Sequence, residues 1–176
     1  YGVWVQARQH AWESGGSWVG RGFIDWASSD DIDAVALRTI ATIHYIPIMD
    51  IDSAAIGAGG KDATPRDHNR DWSDEPVYPE VAAAQLLIQK LDRAGKFDVF
   101  LDLHNPGPNE QQPYFFGPVN LNELPPVQQQ NYARWQAIAQ NEIAGPLPLL
   151  KEYKFATYVK TQEERNRMSA NWVRNH

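Results

Sequence analysis

Val3-Trp4-Val5-Gln6-Ala7-Arg8-Gln9-His10-Ala11-Trp12-Glu13-Ser14 is the stretch that decides the fold. Its first half reads as a core strand, assigned to residues 3–9, and its second half as His-x-x-Glu leading into a helix. Two ligand-type side chains separated by two residues can converge on one metal ion from a single turn. Zinc accepts imidazole nitrogen and carboxylate oxygen, and hydrolytic sites commonly use two His and one Glu, with water in the remaining position. His10 and Glu13 therefore call for a third ligand supplied by the fold, and His104 is in the right place to supply it.

The run Phe97-Asp98-Val99-Phe100-Leu101-Asp102-Leu103-His104 is a second β-type segment that ends on a ligand-type residue, followed by Asn-Pro-Gly. In open α/β sheets, bound groups gather outside the carboxyl ends of the strands, which is where His104 falls. Between the two runs stands Asp67-His68-Asn69-Arg70-Asp71-Trp72. The Arg70 guanidinium beside the Asn69 amide makes a donor fork suited to a carboxylate, which Arg grips with two parallel hydrogen bonds.

These three segments, in this order, resemble the zinc carboxypeptidases, especially the branch related to cytosolic, glutamate-removing enzymes. The resemblance spans residues 3–118. In that family HPGE supplies two zinc ligands, a strand ending in an NPDG-like turn follows, then D-x-N-R, then a strand ending in His. This chain has HAWE at 10–13, Ile43-His44-Tyr45-Ile46-Pro47-Ile48-Met49-Asp50-Ile51-Asp52, DHNR at 67–70 and DLH at 102–104. The resemblance implies one zinc ion held by His10, Glu13 and His104, with Asn69 and Arg70 clamping the substrate's terminal carboxylate. It also implies that Asp67 orients His10. The implied activity is hydrolysis of the C-terminal bond of a peptide or protein, with a preference for acidic terminal residues.

The chain departs from the family pattern in three ways. The turn has lost its Pro and Gly. No Arg precedes D-x-N-R in the usual place, so the nearest cations for a developing oxyanion are Lys61 and Arg66, of which Lys61 is the first choice. No segment matches the strand that carries the family's general-base Glu. Glu163 and Glu164 read instead as the acidic first turn of an amphipathic helix. The general base is accordingly expected beyond His176. Residues 1–176 then form a single catalytic domain lacking its first strands and its C-terminal strand.

With 176 residues, 43% hydrophobic and 22% charged, the chain can bury one substantial core. A net charge of −6 leaves no electrostatic footprint for nucleic acid. With no Cys, any zinc must take nitrogen and oxygen ligands. No apolar run approaches the roughly 20 residues needed to span a bilayer. Compartment and oligomeric state are not fixed by these features.

The remaining elements alternate: helices near 17–28 and 31–38, a strand over 40–48, a long loop over 50–76, a helix over 79–94 ending at Gly95, and a strand over 97–103. Residues 105–126 hold Pro106, Pro108, Pro113, Pro118, Pro125 and Pro126 and read as a loop around a short strand at 114–116, before a helix over 127–144. This pattern predicts an α/β fold with a mixed, largely parallel sheet and helices on both faces, incomplete in this chain. Val19, Phe23, Trp26 and Ala27 mark one helix face; Trp4, Trp18, Trp26 and Trp135 read as core, and Trp72 as a pocket wall. His44 reads as structural, and His68 as turned away from the ligands. Two alternatives share the same residues: a zinc deacylase of N-acyl amino acids, and a non-catalytic zinc- or peptide-binding module. A Trp-rich sugar-binding module is a third.

Overall fold

The structure is a computed structural model that describes residues 1–107 and 109–176; Pro108, within the loop assigned to 105–126, lies outside the described residues. It forms two compact units, Tyr1–Pro106 with His176, and Gly107–Asn175.

The first unit is built on three parallel strands, β1 (Gly2–Ala7), β2 (Thr42–Ile46) and β3 (Val99–Leu103), in the order β2-β1-β3. Gly2 pairs with Thr42 on one side of β1, and Ala7 with Leu103 on the other. Strand β1 carries the core: alternate residues Trp4 and Gln6, and Val5 and Ala7, are buried on opposite faces. A strand buried on both faces is the expected signature of a parallel sheet covered by helices. The connections are α1 (Ser14–Ala27) and α2 (Ile32–Ile40) between β1 and β2, then α3 (Ile51–Ala55), a 3-10 turn (His68–Arg70) and α4 (Pro79–Arg93) before β3.

Helix α4 follows its sequence closely. Pro79 opens it, Val81, Ala84 and Ile88 are buried, and Gly95 at φ +62 closes it. Lys96 N–H donates to Leu91 C=O at 2.9 Å and Gly95 N–H to Asp92 C=O at 2.8 Å, which satisfies carbonyls the helix end leaves open.

Helix α1 departs from expectation. Its sheet-facing side is glycine: a Cβ at Gly16 would lie 2.7 Å from the Leu103 carbonyl oxygen, and one at Gly20 would lie 2.3 Å from the Tyr45 hydroxyl. The close approach turns the bulky apolar side outward, so Trp18 is 76% exposed and Val19 and Trp26 are exposed too. Trp4 alone of the four Trp residues assigned to the core is buried, since Trp135 is also exposed. The 50–76 segment is not one irregular loop, because it contains α3 and the 3-10 turn. Asp71 fastens its far end, accepting from Arg66 Nε at 2.6 Å and from the backbone N–H groups of Val77 and Tyr78.

The second unit contains a two-stranded parallel pair, β4 (Phe116–Gly117) with β5 (Lys154–Phe155), and helices α5 (Pro126–Glu142), α6 (Gln162–Asn166) and α7 (Ser169–Asn175). Ala156, Val159 and Met168 make its buried cluster, with Phe116 packed against it. The strand expected at 114–116 is shifted to 116–117, and α5 matches the helix assigned to 127–144 within two residues. Glu163 and Glu164 do open a helix: Thr161 accepts from Glu164 N–H, and Glu163 pairs with Arg167 at 3.1 Å.

Candidate metal centre

The chain leaves β1 through Arg8, whose φ of +54 turns it sharply. Arg8 donates to the Ala11 carbonyl, and Glu13 N–H returns to His10 C=O at 3.0 Å, closing a turn that puts both ligand-type side chains on one side. Glu13 occupies the position that caps α1, but its side chain makes no cap bond. One of its oxygens faces His10 Nδ1 at 2.8 Å; the other faces His104 Nδ1 at 2.7 Å and accepts from Asn105 N–H at 3.1 Å.

His104 reaches the same point because β3 ends one residue earlier, beside β1. One ligand atom from each of His10, Glu13 and His104 lies within 4.8 Å of the others, the only such group of three among the described residues. The donor set is two imidazole nitrogens and a carboxylate, the chemistry that suits zinc.

Each imidazole is held from behind. His10 Nε2 lies 3.3 Å from Asp67 Oδ1, where the sequence placed the orienting carboxylate. His104 Nε2 lies 3.2 Å from Asp102 Oδ2, a contact the sequence reading missed. Asp102 in turn accepts from Gln9, and Gln9 accepts from Trp72 Nε1 at 2.6 Å. Trp72 is therefore fully buried rather than part of a pocket wall. The signal for this network was the pair of polar residues, Gln9 and Asp102, at the ends of two adjacent parallel strands.

Charge in the cluster follows from these contacts. Burial disfavours charged His104, yet the charge of Asp102 and hydrogen bonds to Asp102 and Glu13 prevail and push it up to about 10. His10 is raised in the same way, with burial opposed by hydrogen bonds to Asp67 and Glu13. Burial works against ionised Glu13, but its bonds from both histidines hold it well below the ordinary carboxylate range. Asp67 is lowered too, burial being outweighed by the bond from His10 and by nearby Arg70.

Asn69 lies beside the centre, its amide 3.4 Å from His104 Nε2. Arg70 is held next to it, donating to the Asn69 carbonyl at 3.1 Å, with Asp67 at 4.0 Å. Of the two candidate cations, Lys61 reaches the cluster: its Nζ is 3.7 Å from Glu13 Oε1 and 5.2 Å from the Trp12 ring centre. Arg66 is committed to Asp71. The loop carrying Lys61 is tied to the ligand turn by Trp12 N–H donating to Gly59 C=O at 3.1 Å. Gly60, at φ +87, passes so close that a Cβ would lie 2.7 Å from Ala11 N. His68 does turn away, stacking on Tyr78 with ring centres 4.0 Å apart and bonding Glu80 at 2.5 Å. His44 stacks on Trp4 in the strand layer.

Comparison with known proteins agrees with this site. The chain is 30% identical over 104 residues to human cytosolic carboxypeptidase 2, a match covering 58% of this chain and 12% of that protein. Over that region the chain is similar to the zinc carboxypeptidase family. In structure, the chain resembles a metallo-carboxypeptidase from Burkholderia cenocepacia with a TM-score of 0.73 over 99% of its length, at 24% identity, which shows the shared fold. It also resembles a metallo-carboxypeptidase from Pseudomonas aeruginosa, solved in complex with (2-guanidinoethylmercapto)succinic acid, with a TM-score of 0.66 and 25% identity. The chain spans 44% of each of those two structures. No protein-family model matches it. Among the described residues, no helix is long and apolar enough to cross a membrane.

Proposed function

We propose that this chain carries the zinc centre and the carboxylate clamp of a metallocarboxypeptidase that hydrolyses the C-terminal bond of peptides or proteins. The observation that supports the reading is the convergence of His10, Glu13 and His104, with Asn69 3.4 Å from His104 and Arg70 bonded to the Asn69 carbonyl. His10 and His104 would hold zinc through Nδ1, and Glu13 through its carboxylate. When bound, zinc supplies a Lewis acid and lowers the pKa of its water.

The chain's own residues do the positioning. Arg70 and Asn69 receive the terminal carboxylate, which makes the cut exo-specific. Asp67 fixes the ring of His10. Lys61 adds a positive charge close enough to the centre to stabilise an oxyanion. Preference for an acidic terminal residue belongs to the same reading and rests on the likeness to the cytosolic branch.

The deciding experiment uses Arg70→Lys. Lys keeps the charge but cannot reproduce the two-pronged grip. On a free-acid peptide, kcat/KM should fall roughly tenfold to more than a hundredfold, as expected for about 1.5–3 kcal/mol of charge-assisted bonding. The corresponding C-terminal amide should be affected far less, and zinc content should not change. Equal loss on acid and amide would remove the clamp assignment. Turnover of N-acyl amino acids in place of peptides would favour the deacylase, and zinc retention without turnover of either would favour the binding module.

A further inference from the structure

We propose that Trp72 and Gln9 are positioning residues that act through Asp102 to fix which nitrogen of His104 faces the metal. The inference rests on the zinc reading above. It follows from the direction in which each hydrogen bond can run.

An indole N–H donates and cannot accept. Trp72 Nε1 lies 2.6 Å from Gln9 Oε1, so the Gln9 carboxamide must turn its oxygen toward Trp72 and its NH2 the other way. That NH2 donates to Asp102 Oδ2. Asp102 is thereby set as an acceptor, and the same oxygen lies 3.2 Å from His104 Nε2. An acceptor there keeps the ring proton on Nε2. The proton that a metal would displace is then the one on Nδ1, the nitrogen that faces Glu13 at 2.7 Å.

Burial gives the chain of bonds its stringency. Trp72 and Gln9 are both 0% exposed. Reversing one link would set donor against donor or acceptor against acceptor without water to compensate, at the full desolvation penalty of each group. Asn69 Nδ2 lies 3.4 Å from His104 Nε2, donor toward donor for this direction, so the proposal requires the Asn69 carboxamide to be turned by a half-rotation that brings its oxygen to the ring. His10, by contrast, is oriented by Asp67 from a different segment, so the two imidazoles are set by separate devices.

The test uses the 176-residue chain with Trp72→Phe, which keeps an aromatic ring and removes the indole N–H, and Gln9→Glu, which keeps shape and an acceptor for Trp72 but removes the donor to Asp102. Each should weaken zinc binding about tenfold or more, the usual cost of losing a group behind a ligand. The double variant should be little weaker than the worse single variant, because the links act in series. NMR of isotope-labelled histidine in the zinc-loaded protein should show the His104 proton on Nε2 with the metal on Nδ1 in the unsubstituted chain, and a mixture of the two arrangements in the variants. The visible spectrum of the cobalt-substituted protein should shift in the same sense in both.

Melting in the presence of chelator separates folding from metal binding, and Gln9→Glu decides alone if Trp72→Phe does not fold. Unchanged zinc affinity and an unchanged His104 tautomer in Gln9→Glu, or penalties that simply add, would overturn the relay while leaving the zinc site standing. Failure of the unsubstituted chain to bind zinc would overturn the metal reading, and this inference with it.

Discussion

Asp67 and Tyr153 are two half-buried groups whose environments give opposite experimental handles. Asp67 stands 3.3 Å behind His10. Asp67→Ala should weaken zinc affinity roughly 10–100-fold, measured by competition with a chromophoric chelator, and unchanged affinity would return Asp67 to the surface. Tyr153 is held well above the ordinary phenol value by burial, with Tyr132 nearby adding to the shift. Below about pH 10.0, both folded and unfolded chains keep this proton and stability is unaffected. Above it the unfolded chain ionises first, so stability falls as pH rises toward the folded-state value. Tyr153→Phe should flatten that alkaline loss in denaturant titrations at neutral and at high pH; an equally steep loss would assign it to other groups. At this scale the sequence revealed the three side chains that converge as a ligand set, because ligand chemistry restricts the residue types. It concealed Gln9, Trp72 and Asp102, because their roles depend on which side chains two strands bring together.

At the scale of elements, the sequence is most legible where local chemistry and packing agree. Helix α4 has a proline start, an apolar stripe and a glycine stop, and it forms where expected. Helix α1 is harder to read because its apolar stripe, which ordinarily marks the inward face, points outward. The inward face is the one with least bulk, since only glycine lets the helix sit against the Leu103 carbonyl. Gly16→Ala should therefore cost about 1–3 kcal/mol, the usual range for overpacking, and should weaken zinc binding by disturbing the strand end that carries His104. Gly22 faces open space, with no atom within 4 Å of where a Cβ would stand, so Gly22→Ala should stabilise by roughly 0.5–1 kcal/mol through helix propensity. Equal effects of the two substitutions in urea unfolding would refute the glycine-faced packing. The exposed loop lysine is a further case: the sequence shows Lys61 only as a cation near the motif, while Gly60 and the Trp12–Gly59 bond decide that it reaches the cluster.

At the scale of the whole molecule, all the residues assigned to metal and clamp lie in the Tyr1–Pro106 unit. The parallel order β2-β1-β3 places His10 and His104 past the same ends of neighbouring strands, which is why a sequence order of strand, ligand pair, clamp and strand-end His could be read as one site. What the sequence did not convey was the division into two compact units. Zinc at 1,000 times its dissociation constant should stabilise the folded chain by about 4.1 kcal/mol, a rise in Tm on the order of 10 °C that chelator reverses. Hydrogen exchange should show the added protection in β1, β3 and the His68–Arg70 turn. Protection confined to Gly107–Asn175 would place the metal elsewhere.

The separation of Glu13 from His104, 91 residues along the chain, has a kinetic consequence. The third ligand cannot join the first two until β3 has zipped onto β1, and loop closure over that span precedes any reward from coordination. Metal capture is therefore a late event on the folding route. Zinc should leave the refolding limb of the chevron where it is and slow the unfolding limb by the whole of its stabilisation. Stopped-flow traces in zinc and in chelator would then share a refolding rate and part company only when the native protein is driven to unfold.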